Sequence, residues 1–462
     1  MVAPQKAVEA VAAAALPSDE AFQRERDLFF ECLTGPQSAA LIHAFSTERA
    51  VWKIPEADHS PRAIDRVGVV GGGTMGSGIA TAALLAGFPL VLAEQNSEAG
   101  ARAKSVIASN LDGAVKRGKI SDAKRQALLD ENLTVETDLE ALASQDLIIE
   151  AVFEDMAVKS DIFGRLDRAA KPGAILASNT SCLDLNEIAR GTSRPQSVIG
   201  LHFFSPAHVM RLLEVVVGAE TAPEVTAAGF ALARKLRKVA VRAGVCEGFI
   251  GNRILHHYLD AADHLVLAGA EPEAVDNAMQ EFGFALGPFA VNDLAGIDIS
   301  IATRTREGVG SKPTLEQRMA EAGWLGRKSG KGYYVYEGKD RTANPELPEL
   351  IAATRASAGL TPRAFDSEEI VDRIMTAMVA EASRVLEEGI ALRPIDIDAV
   401  YLFGYGFPRF LGGPMHYADA VGAKMVLERI ERFAELDGDF WRAPAILRRM
   451  AKDGSRFADM NR

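Results

Sequence analysis

The sequence has few cysteines, no excess of positive charge and no long apolar run. Its 462 residues contain only Cys32, Cys182 and Cys246, which are far apart and lie in no CxxC or Cys/His pattern. Neither a disulfide framework nor a zinc site is therefore expected. The net charge of −12 argues against a nucleic-acid partner. No apolar run reaches the roughly 18 residues that span a bilayer, so no membrane partner is expected.

Targeting signals are also lacking. The N-terminus has no charged segment followed by an apolar one, and its acidic residues Glu9, Asp19 and Glu20 are unlike a transit peptide. The chain ends in Met460-Asn461-Arg462 and not in a peroxisomal SKL-type signal. These features predict a reducing, cytoplasmic location.

The hydrophobic pattern divides the chain into four parts. Residues 1–60 comprise an alanine-rich tail without a usable pattern, expected to fray, and two amphipathic linker helices at 21–52 that Gly35-Pro36 interrupts. Residues 61–244 alternate apolar strands with helices, which predicts an α/β domain with a parallel sheet. Residues 245–345 and 346–462 have helical patterns and predict two all-α domains.

The two helical parts are predicted to be copies of each other. Asn252-Arg253-Ile254 aligns with Asp372-Arg373-Ile374, and Gly287-Pro288 aligns with Gly413-Pro414. Further pairs keep this order with small insertions: Gly269 with Gly389, Pro272 with Pro394, Asp276 with Asp398, Gly283-Phe284 with Gly406-Phe407, and Asp293 with Asp419. Two copies are too few for a solenoid, so we expect them to pack on each other.

A glycine-rich turn follows the first apolar strand. Residues 71–76, GGGTMG, fit GxGxxG, open a small-residue helix, and are followed by Glu94 at the end of the next strand. This context predicts a Rossmann-type dinucleotide site, in which Gly71 makes the turn, Gly73 admits the pyrophosphate and Gly76 packs closely. Glu94 would bind the ribose hydroxyls and repel a 2′-phosphate, so NAD is favoured over NADP. The alternatives are a non-binding turn and a solvated strand end.

Dinucleotide-dependent oxidation of an alcohol also requires a base for the hydroxyl proton. His202 stands at the end of an apolar strand, and Glu214 follows twelve residues later, after a turn-like break at 203–206. A strand, a return and a neighbouring strand would bring the two side chains together, and the carboxylate would fix the imidazole tautomer. The alternative is a buried histidine bonded to a backbone carbonyl.

Four motifs, ASNTSCL at 177–183, GLHFFSPAHVMRLLEV at 200–215, GFIGNR at 248–253 and GPFAVNDLAGID at 287–298, resemble the L-3-hydroxyacyl-CoA dehydrogenase family. The second helical copy resembles the dehydrogenase half of multifunctional β-oxidation enzymes, and the resemblance covers roughly residues 20–462. It implies oxidation of (S)-3-hydroxyacyl-CoA to 3-oxoacyl-CoA with NAD. A short-chain 3-hydroxybutyryl-CoA dehydrogenase and a non-catalytic, nucleotide-bound scaffold remain alternatives.

The resemblance also implies residue roles. His202 is the general base, Glu214 orients it, and Ser181 and Asn252 hold the substrate. Ser181 has an alternative role as the cap of the helix that follows it, and Asn252 as an ordinary helix residue. The implied cofactor residues are Gly71, Gly73, Thr74, Met75, Gly76, Glu94, Glu154 and Lys159. For Lys159 a solvated side chain is equally expected.

Two positions depart from the family pattern. Ser205 stands where many members have asparagine, and Asp372 replaces Asn252 in the second copy, which is therefore expected to be non-catalytic. Because the second copy can pair with the first within one chain, we expect a monomer. The segment with Lys116, Arg117 and Lys119 could meet the CoA phosphates, although a solvated helix end is favoured.

Multifunctional family members carry an enoyl-CoA hydratase domain before a linker helix, which the helices at 21–52 resemble. No hydratase sequence precedes them here. We therefore expect either a dehydrogenase fragment or a separate hydratase that docks on residues 21–52. Phe22, Leu28, Phe29 and Phe45 would otherwise form an exposed apolar patch.

Overall fold

A computed structural model describes residues 1–306, 314–338 and 340–461. Arg462, the last residue of the C-terminal tripeptide Met460-Asn461-Arg462, lies outside the described residues, as do positions 307–313 and 339 of the first helical copy. Among the described residues, no helix is both long enough and apolar enough to cross a membrane.

Three helices precede the sheet: α1 (Val2–Ala13), α2 (Ser18–Thr34) and α3 (Pro36–Ala50). The expectation of a frayed alanine-rich end is wrong, because alanine favours helix and α1 packs against α2. The break between α2 and α3 lies at the predicted position, where Gly35 is extended and Pro36 opens α3. Leu28 is 2% exposed and so does not belong to the predicted apolar patch, whereas Phe22, Phe29 and Phe45 are exposed.

Residues 67–243 contain one eight-stranded sheet. Its strands are β1 (Val67–Val70), β2 (Leu90–Ala93), β3 (Leu133–Glu136), β4 (Leu147–Glu150), β5 (Ile175–Ser178), β6 (Val198–Phe203), β7 (Leu212–Val216) and β8 (Val239–Ala243). They are arranged in the order β3-β2-β1-β4-β5-β6-β7-β8. The helices between them are α4 (Thr74–Leu85), α5 (Ser97–Lys116), α6 (Asp122–Ala127), α7 (Met156–Ala169), α8 (Leu185–Arg190) and α9 (Pro223–Lys235).

The sheet is mainly parallel, as the strand pattern predicted, with one reversal at the return predicted after His202. Strands β1 to β6 are parallel, but β7 runs antiparallel to β6, and β8 is parallel to β7. The connection at 204–211 is shorter than the dozen or so residues that a parallel crossover needs, so the chain reverses here. Strands β1, β4 and β5 are buried along their whole length, as expected for strands covered on both faces.

The rest of the chain is mainly helical. The first set is α10 (Gly251–Ala268), α11 (Pro272–Phe282), α12 (Pro288–Ala295), α13 (Ile297–Arg306) and α14 (Leu315–Glu321). A hairpin of β9 (Tyr334–Glu337) and β10 (Asp340–Ala343), which the helical pattern had not indicated, leads to α15 (Leu347–Ala358). The second set is α16 (Ser367–Glu387), α17 (Pro394–Gly404), α18 (Pro414–Val421), α19 (Ala423–Asp437) and α20 (Ala445–Asp453).

Matched residues of the two helical sets make the same local contacts. Asp276 accepts hydrogen bonds from two first-turn amides of α12 at 2.9 and 3.0 Å, and Asp398 accepts one from the Met415 amide of α18 at 2.7 Å. A Cβ atom on Gly287 or on Gly413 would lie 2.3 Å from the matching aspartate. Both copies therefore need the same aspartate and glycine to start the same helix.

The two helical sets pack on each other through α10 and α16. Arg253 of α10 bridges to the second set, with its Nε 2.6 Å from Glu381 and one guanidinium nitrogen 2.8 Å from Glu388. Helix α3 packs on α17, and His43 Nε2 lies 2.8 Å from the buried carboxylate of Asp398. The second set thus contacts both the first set and the N-terminal helices.

Candidate active site

His202 and Glu214 face each other across β6 and β7. The antiparallel register pairs them directly, and His202 Nδ1 lies 2.7 Å from Glu214 Oε2. Their side chains are 6% and 0% exposed. The imidazole is therefore bonded to a carboxylate and not to a backbone carbonyl, and the strand-and-return geometry predicted from the sequence is the one observed.

The second oxygen of Glu214 is held by the start of α10. Oε1 accepts hydrogen bonds from the amides of Ile250 at 3.2 Å and Gly251 at 3.0 Å. Amides at a helix N-terminus have no partner within the helix and favour negative charge. With Glu214 fixed in this way, His202 donates its Nδ1–H to the carboxylate, which leaves a lone pair on Nε2.

The end of β6 is fixed by a residue that the sequence reasoning missed. Asn179, directly after β5, accepts a hydrogen bond from the Phe203 amide at 2.9 Å. Two aromatic rings, Phe204 and Phe249, lie 4.3 and 5.7 Å from the His202 ring centroid. His202 is therefore flanked by two aromatic rings, and the strand end beside it is anchored to Asn179. The only signal in the sequence was a polar residue at the end of a buried strand.

A cleft of about 1080 Å³ opens at the carboxyl ends of the central strands. The strand order changes direction between β1 and β4, and open α/β sheets bind ligands at such a point. The predicted site residues that line the cleft are Gly71, Gly73, Thr74, Met75, Glu94, Glu154, Ser181 and His202, together with Ser205. Most of the residues that the sequence singled out thus share one cavity.

The glycine turn leaves space for a phosphate group. Gly71 has a φ of +89°, and a Cβ on it would lie 2.9 Å from the Ala151 carbonyl oxygen. A Cβ on Gly73 would meet no atom within 4 Å, so the approach to the first turn of α4 is open. A Cβ on Gly76 would lie 1.8 Å from the Gly71 oxygen. Because no side chain caps α4, its first amides can bind the phosphates of a dinucleotide.

Glu94 is held at the end of β2 by backbone amides. Its Oε1 accepts from Gly72 at 2.6 Å and its Oε2 from Gln95 at 2.9 Å. Each carboxylate oxygen can accept a further hydrogen bond, and Glu94 lines the cleft. The arrangement suits two ribose hydroxyls and would place a 2′-phosphate next to a like charge.

Lys159 is buried rather than solvated, with 1% of its side chain exposed. Its Nζ lies 2.6 Å from Glu150 Oε1 and 3.2 Å from Glu154 Oε2. Burial alone would raise the pKa of Glu154, but the charge of Lys159 and hydrogen bonds from Thr180 and Ser181 outweigh burial and hold that pKa below its ordinary value. Lys159 therefore helps to keep the Glu154 carboxylate ionised at the wall of the cleft.

Glu150 was not identified from the sequence. It ends β4, is completely buried, and accepts hydrogen bonds from the Ser178 hydroxyl and the Val152 amide, each at 2.7 Å. A buried carboxylate is stable only when it is paired and hydrogen-bonded, and Lys159 supplies the pairing. The signal was present as the acidic end of the apolar run LIIE at 147–150.

Ser181 is bonded to Glu154. Glu154 Oε1 accepts from the Ser181 amide at 2.6 Å and from its hydroxyl at 3.1 Å. The alternative role as a helix cap does not apply, because α8 is capped by Asp184, whose side chain accepts from the Asn186 amide at 2.8 Å. The Ser181 side chain therefore belongs to the cleft.

Asn252 lies outside the set of residues that line the cleft. It follows Gly251, whose amide binds Glu214, and its Oδ1 accepts a hydrogen bond from the Tyr405 hydroxyl at 2.7 Å. Tyr405 belongs to the second helical copy and was not identified from the sequence. Asp372, the counterpart of Asn252, instead forms an ion pair with Arg429 at 2.7 Å.

The basic segment after α5 is exposed. Lys116, Arg117 and Lys119 are exposed and are not among the residues that line the cleft. Burial lowers the pKa of His208, and the charges of Arg117, Lys238 and Lys119 lower it further. The segment is thus a solvated helix end, with part of its charge near the loop between β6 and β7.

Two family models match the chain. Residues 66–246 match the model described as 3-hydroxyacyl-CoA dehydrogenase, NAD binding domain. Residues 248–336 and 370–457 match the model described as 3-hydroxyacyl-CoA dehydrogenase, C-terminal domain. The chain belongs to the 3-hydroxyacyl-CoA dehydrogenase family. The two separate matches to the C-terminal domain of these dehydrogenases agree with the internal duplication.

One relative is the peroxisomal bifunctional enzyme of Cavia porcellus, which is 38% identical over 95% of this chain and 64% of that one. The chain therefore spans about 64% of the length of this curated relative. The structure of 3-hydroxybutyryl-CoA dehydrogenase from Escherichia coli is similar with a TM-score of 0.73 at 27% identity, covering 85% and 99% of the two chains. The dehydrogenase part of multifunctional enzyme 1 from Caenorhabditis elegans has a TM-score of 0.64 at 29% identity, with 88% and 96% covered.

Proposed function

We propose that this chain oxidises (S)-3-hydroxyacyl-CoA to 3-oxoacyl-CoA with NAD in fatty-acid β-oxidation. The observation that carries the proposal is the buried pair of His202 and Glu214, joined at 2.7 Å beside the dinucleotide cleft. Membership of the 3-hydroxyacyl-CoA dehydrogenase family supports it.

When bound, NAD supplies the acceptor for the hydride that leaves C3 of the substrate. His202 Nε2 takes the proton of the C3 hydroxyl, while Glu214 keeps its hydrogen bond to Nδ1–H and stabilises the imidazolium that forms. In the reverse direction the protonated His202 returns this proton to the 3-oxo oxygen. Ser181 turns its hydroxyl from Glu154 to a substrate oxygen, and the amide of Asn252 donates to the thioester carbonyl.

The cofactor residues divide between the two ends of the dinucleotide. The backbone at Gly71, Gly73, Thr74, Met75 and Gly76 holds the phosphates, and Glu94 binds the adenosine ribose. Glu154 contacts the nicotinamide ribose. Lys159 is buried behind Glu154, so its role in this proposal is to keep that carboxylate charged and in place.

The test measures NADH oxidation by acetoacetyl-CoA, in the wild type and in His202→Ala. We expect a loss of about 10²–10⁴-fold in kcat, because general acid–base catalysis contributes that much. His59→Ala, an exposed histidine before the sheet, is the matched control and should retain full activity. A wild type that binds NADH but turns over no 3-oxoacyl-CoA would contradict the proposal and favour the alternative of a non-catalytic, nucleotide-bound scaffold.

A short-chain 3-hydroxybutyryl-CoA dehydrogenase is the second candidate. The similarity in fold to the Escherichia coli enzyme of that name favours it. Comparing kcat/KM for acetoacetyl-CoA with that for a palmitoyl-length 3-oxoacyl-CoA separates the two candidates. A strong preference for acetoacetyl-CoA supports the short-chain activity, and similar values for both substrates support general β-oxidation.

We also propose that the N-terminal helices dock a separate enoyl-CoA hydratase. Phe22 and Phe29 of α2 and Phe45 of α3 are 67%, 59% and 62% exposed, which is unusual for three phenylalanines on adjacent helices. This chain covers 64% of a relative named bifunctional enzyme, which supports a second enzyme as the occupant, and the resemblance to multifunctional family members makes that enzyme a hydratase. Crotonyl-CoA hydratase activity should co-purify with the wild type. This activity should be absent from the Phe22→Asp, Phe45→Asp double variant, which should still oxidise NADH. Co-purification that is equal for both forms would refute the docking face.

The remaining proposals concern organisation and location. We propose four parts, residues 1–60, 61–244, 245–345 and 346–462, and a monomer in which the two helical copies pair. A tight dimer in analytical ultracentrifugation would contradict the monomer. We propose a cytoplasmic location for the chain, although its relatives are named as peroxisomal or glyoxysomal. Cell fractionation that finds the protein in organelles would overturn this proposal.

A further inference from the structure

Tyr405 belongs to the second helical copy, yet its hydroxyl contacts the predicted substrate-binding asparagine of the first. Tyr405 directly follows α17, and its hydroxyl donates to Asn252 Oδ1 at 2.7 Å. With the amide oxygen facing the phenol, the amide nitrogen keeps both of its N–H donors for another partner.

Two glycines make room for this contact. A Cβ on Gly251 would lie 2.4 Å from the Tyr405 hydroxyl oxygen, so any other residue at the start of α10 would collide with the phenol. A Cβ on Gly404 would lie 2.4 Å from Leu212 of β7. The end of α17 therefore packs directly on the strand that carries Glu214.

The phenol is held on its faces as well as at its hydroxyl. Tyr401 stacks on its ring at 4.9 Å, and Phe204 meets it edge-on at 5.5 Å. Phe204 in turn lies 4.3 Å from the His202 ring. Burial, followed by the nearby charge of Glu214, raises the pKa of Tyr405 well above its usual value, so the hydroxyl stays protonated and remains a donor.

The duplication provides an internal comparison. Since Gly283-Phe284 aligns with Gly406-Phe407, the counterpart of Tyr405 in the first copy is Phe282, which has no hydroxyl. The counterpart of Asn252 is Asp372, which pairs with Arg429. The hydroxyl is thus present at the position that contacts the asparagine, and the matching position of the first copy lacks it.

We propose that Tyr405 is a positioning residue, which fixes the Asn252 side chain so that its amide N–H groups face the substrate. This inference rests on the proposed function, in which Asn252 binds the thioester carbonyl. It gives the second copy a role beyond packing: this copy supplies the hydrogen bond that orients a substrate-binding residue of the first.

The test is a double-mutant cycle in Tyr405→Phe, Asn252→Ala and the double variant. Losing one hydrogen bond should lower kcat/KM for acetoacetyl-CoA about 3- to 10-fold in Tyr405→Phe, with the KM for NADH unchanged. If Tyr405 acts through Asn252, the double variant should have the kcat/KM of Asn252→Ala alone. Tyr417→Phe, which removes a hydroxyl of the second copy that interacts with Arg429, is the matched control and should equal the wild type.

Three outcomes overturn the proposal. Tyr405→Phe with wild-type kcat/KM would show that the hydroxyl does not position the substrate. Losses that multiply in the double variant would show that Tyr405 acts independently of Asn252. A raised KM for NADH together with a lowered melting temperature in Tyr405→Phe would indicate a structural role only. A wild type without turnover would overturn the proposed function itself, and so differs from all three.

Discussion

Replacing Glu214 by glutamine tests the centre of the proposed mechanism with a change of only a few atoms. The amide carbonyl can still accept from the Ile250 and Gly251 amides, as Oε1 does now at 3.2 and 3.0 Å. The amide NH₂ then replaces Oε2, which lies 2.7 Å from His202 Nδ1. An NH₂ group can only donate, so Nδ1 must become the acceptor and the ring proton must move to Nε2.

The size of the effect follows from this change of tautomer. With its proton on Nε2, His202 cannot take the hydroxyl proton, so Glu214→Gln should lose most of the contribution of the base. General acid–base catalysis is worth about 10²–10⁴-fold in rate, or about 3–5 kcal/mol in activation free energy. The loss should appear in kcat, because the hydrogen bond concerned is not part of the dinucleotide site.

The assay is NADH oxidation by acetoacetyl-CoA, with the dissociation constant of NADH and the melting temperature measured in parallel. Glu220→Gln, which changes an exposed carboxylate just beyond β7, is the control and should leave kcat unchanged. Glu214→Gln that retains more than a tenth of the wild-type kcat, with its fold intact, would refute the reasoning about the tautomer.

Two further predictions concern the cleft wall and the cofactor. Lys159→Met should lower the free energy of unfolding by about 3–5 kcal/mol in chemical denaturation, because it leaves the buried Glu150 and the partly buried Glu154 without their cation. Because folding lowers the pKa of Glu154 from 4.5, this carboxylate stabilises the folded protein above pH 4.5, and the contribution is lost as the pH falls through the folded-state pKa. The difference in stability between the wild type and Lys159→Met should therefore narrow at acidic pH. Glu94→Ala should raise the KM for NADH about tenfold, because the hydrogen bonds to the ribose hydroxyls disappear. It should also reduce the preference for NADH over NADPH, because the charge that repels a 2′-phosphate disappears.

Each of these predictions has a clear contrary result. Equal stability of Lys159→Met and wild type at neutral pH would mean that Glu150 and Glu154 do not need the lysine. An unchanged ratio of NADPH to NADH activity in Glu94→Ala would remove Glu94 from the ribose site. Glu98→Ala, which removes an exposed carboxylate from the first turn of α5, controls for the loss of one negative charge.

The parts of the site that depend on neighbouring residues in the chain could be predicted from the sequence. The GGGTMG turn, the strand before it and the helix after it are local features, and Glu94 follows at a fixed distance. The pairing of His202 with Glu214 also follows from local geometry, because a short reversal brings two strands side by side. For such features the sequence contains both partners and the connection between them.

The packing of the two helical copies was expected, but individual contacts between distant segments could not be predicted. Tyr405 and Asn252 are 153 positions apart, and their meeting depends on how two helical sets pack. The sequence left Lys159 either at the cofactor or in solvent, and only the fold shows it buried against Glu150 and Glu154. The helix α1 was missed for another reason: its pattern is weak, and its stability comes from alanine content and from contact with α2.

The joining of the two helical sets in one polypeptide has a consequence for how the protein can vary. In a symmetric dimer every substitution enters both halves of the interface at once, so a change that suits one half is imposed on the other. Here Asn252 and Asp372, or Phe282 and Tyr405, could diverge separately because each position is encoded once. The shared contact is also intramolecular, so its strength does not change when the protein is diluted.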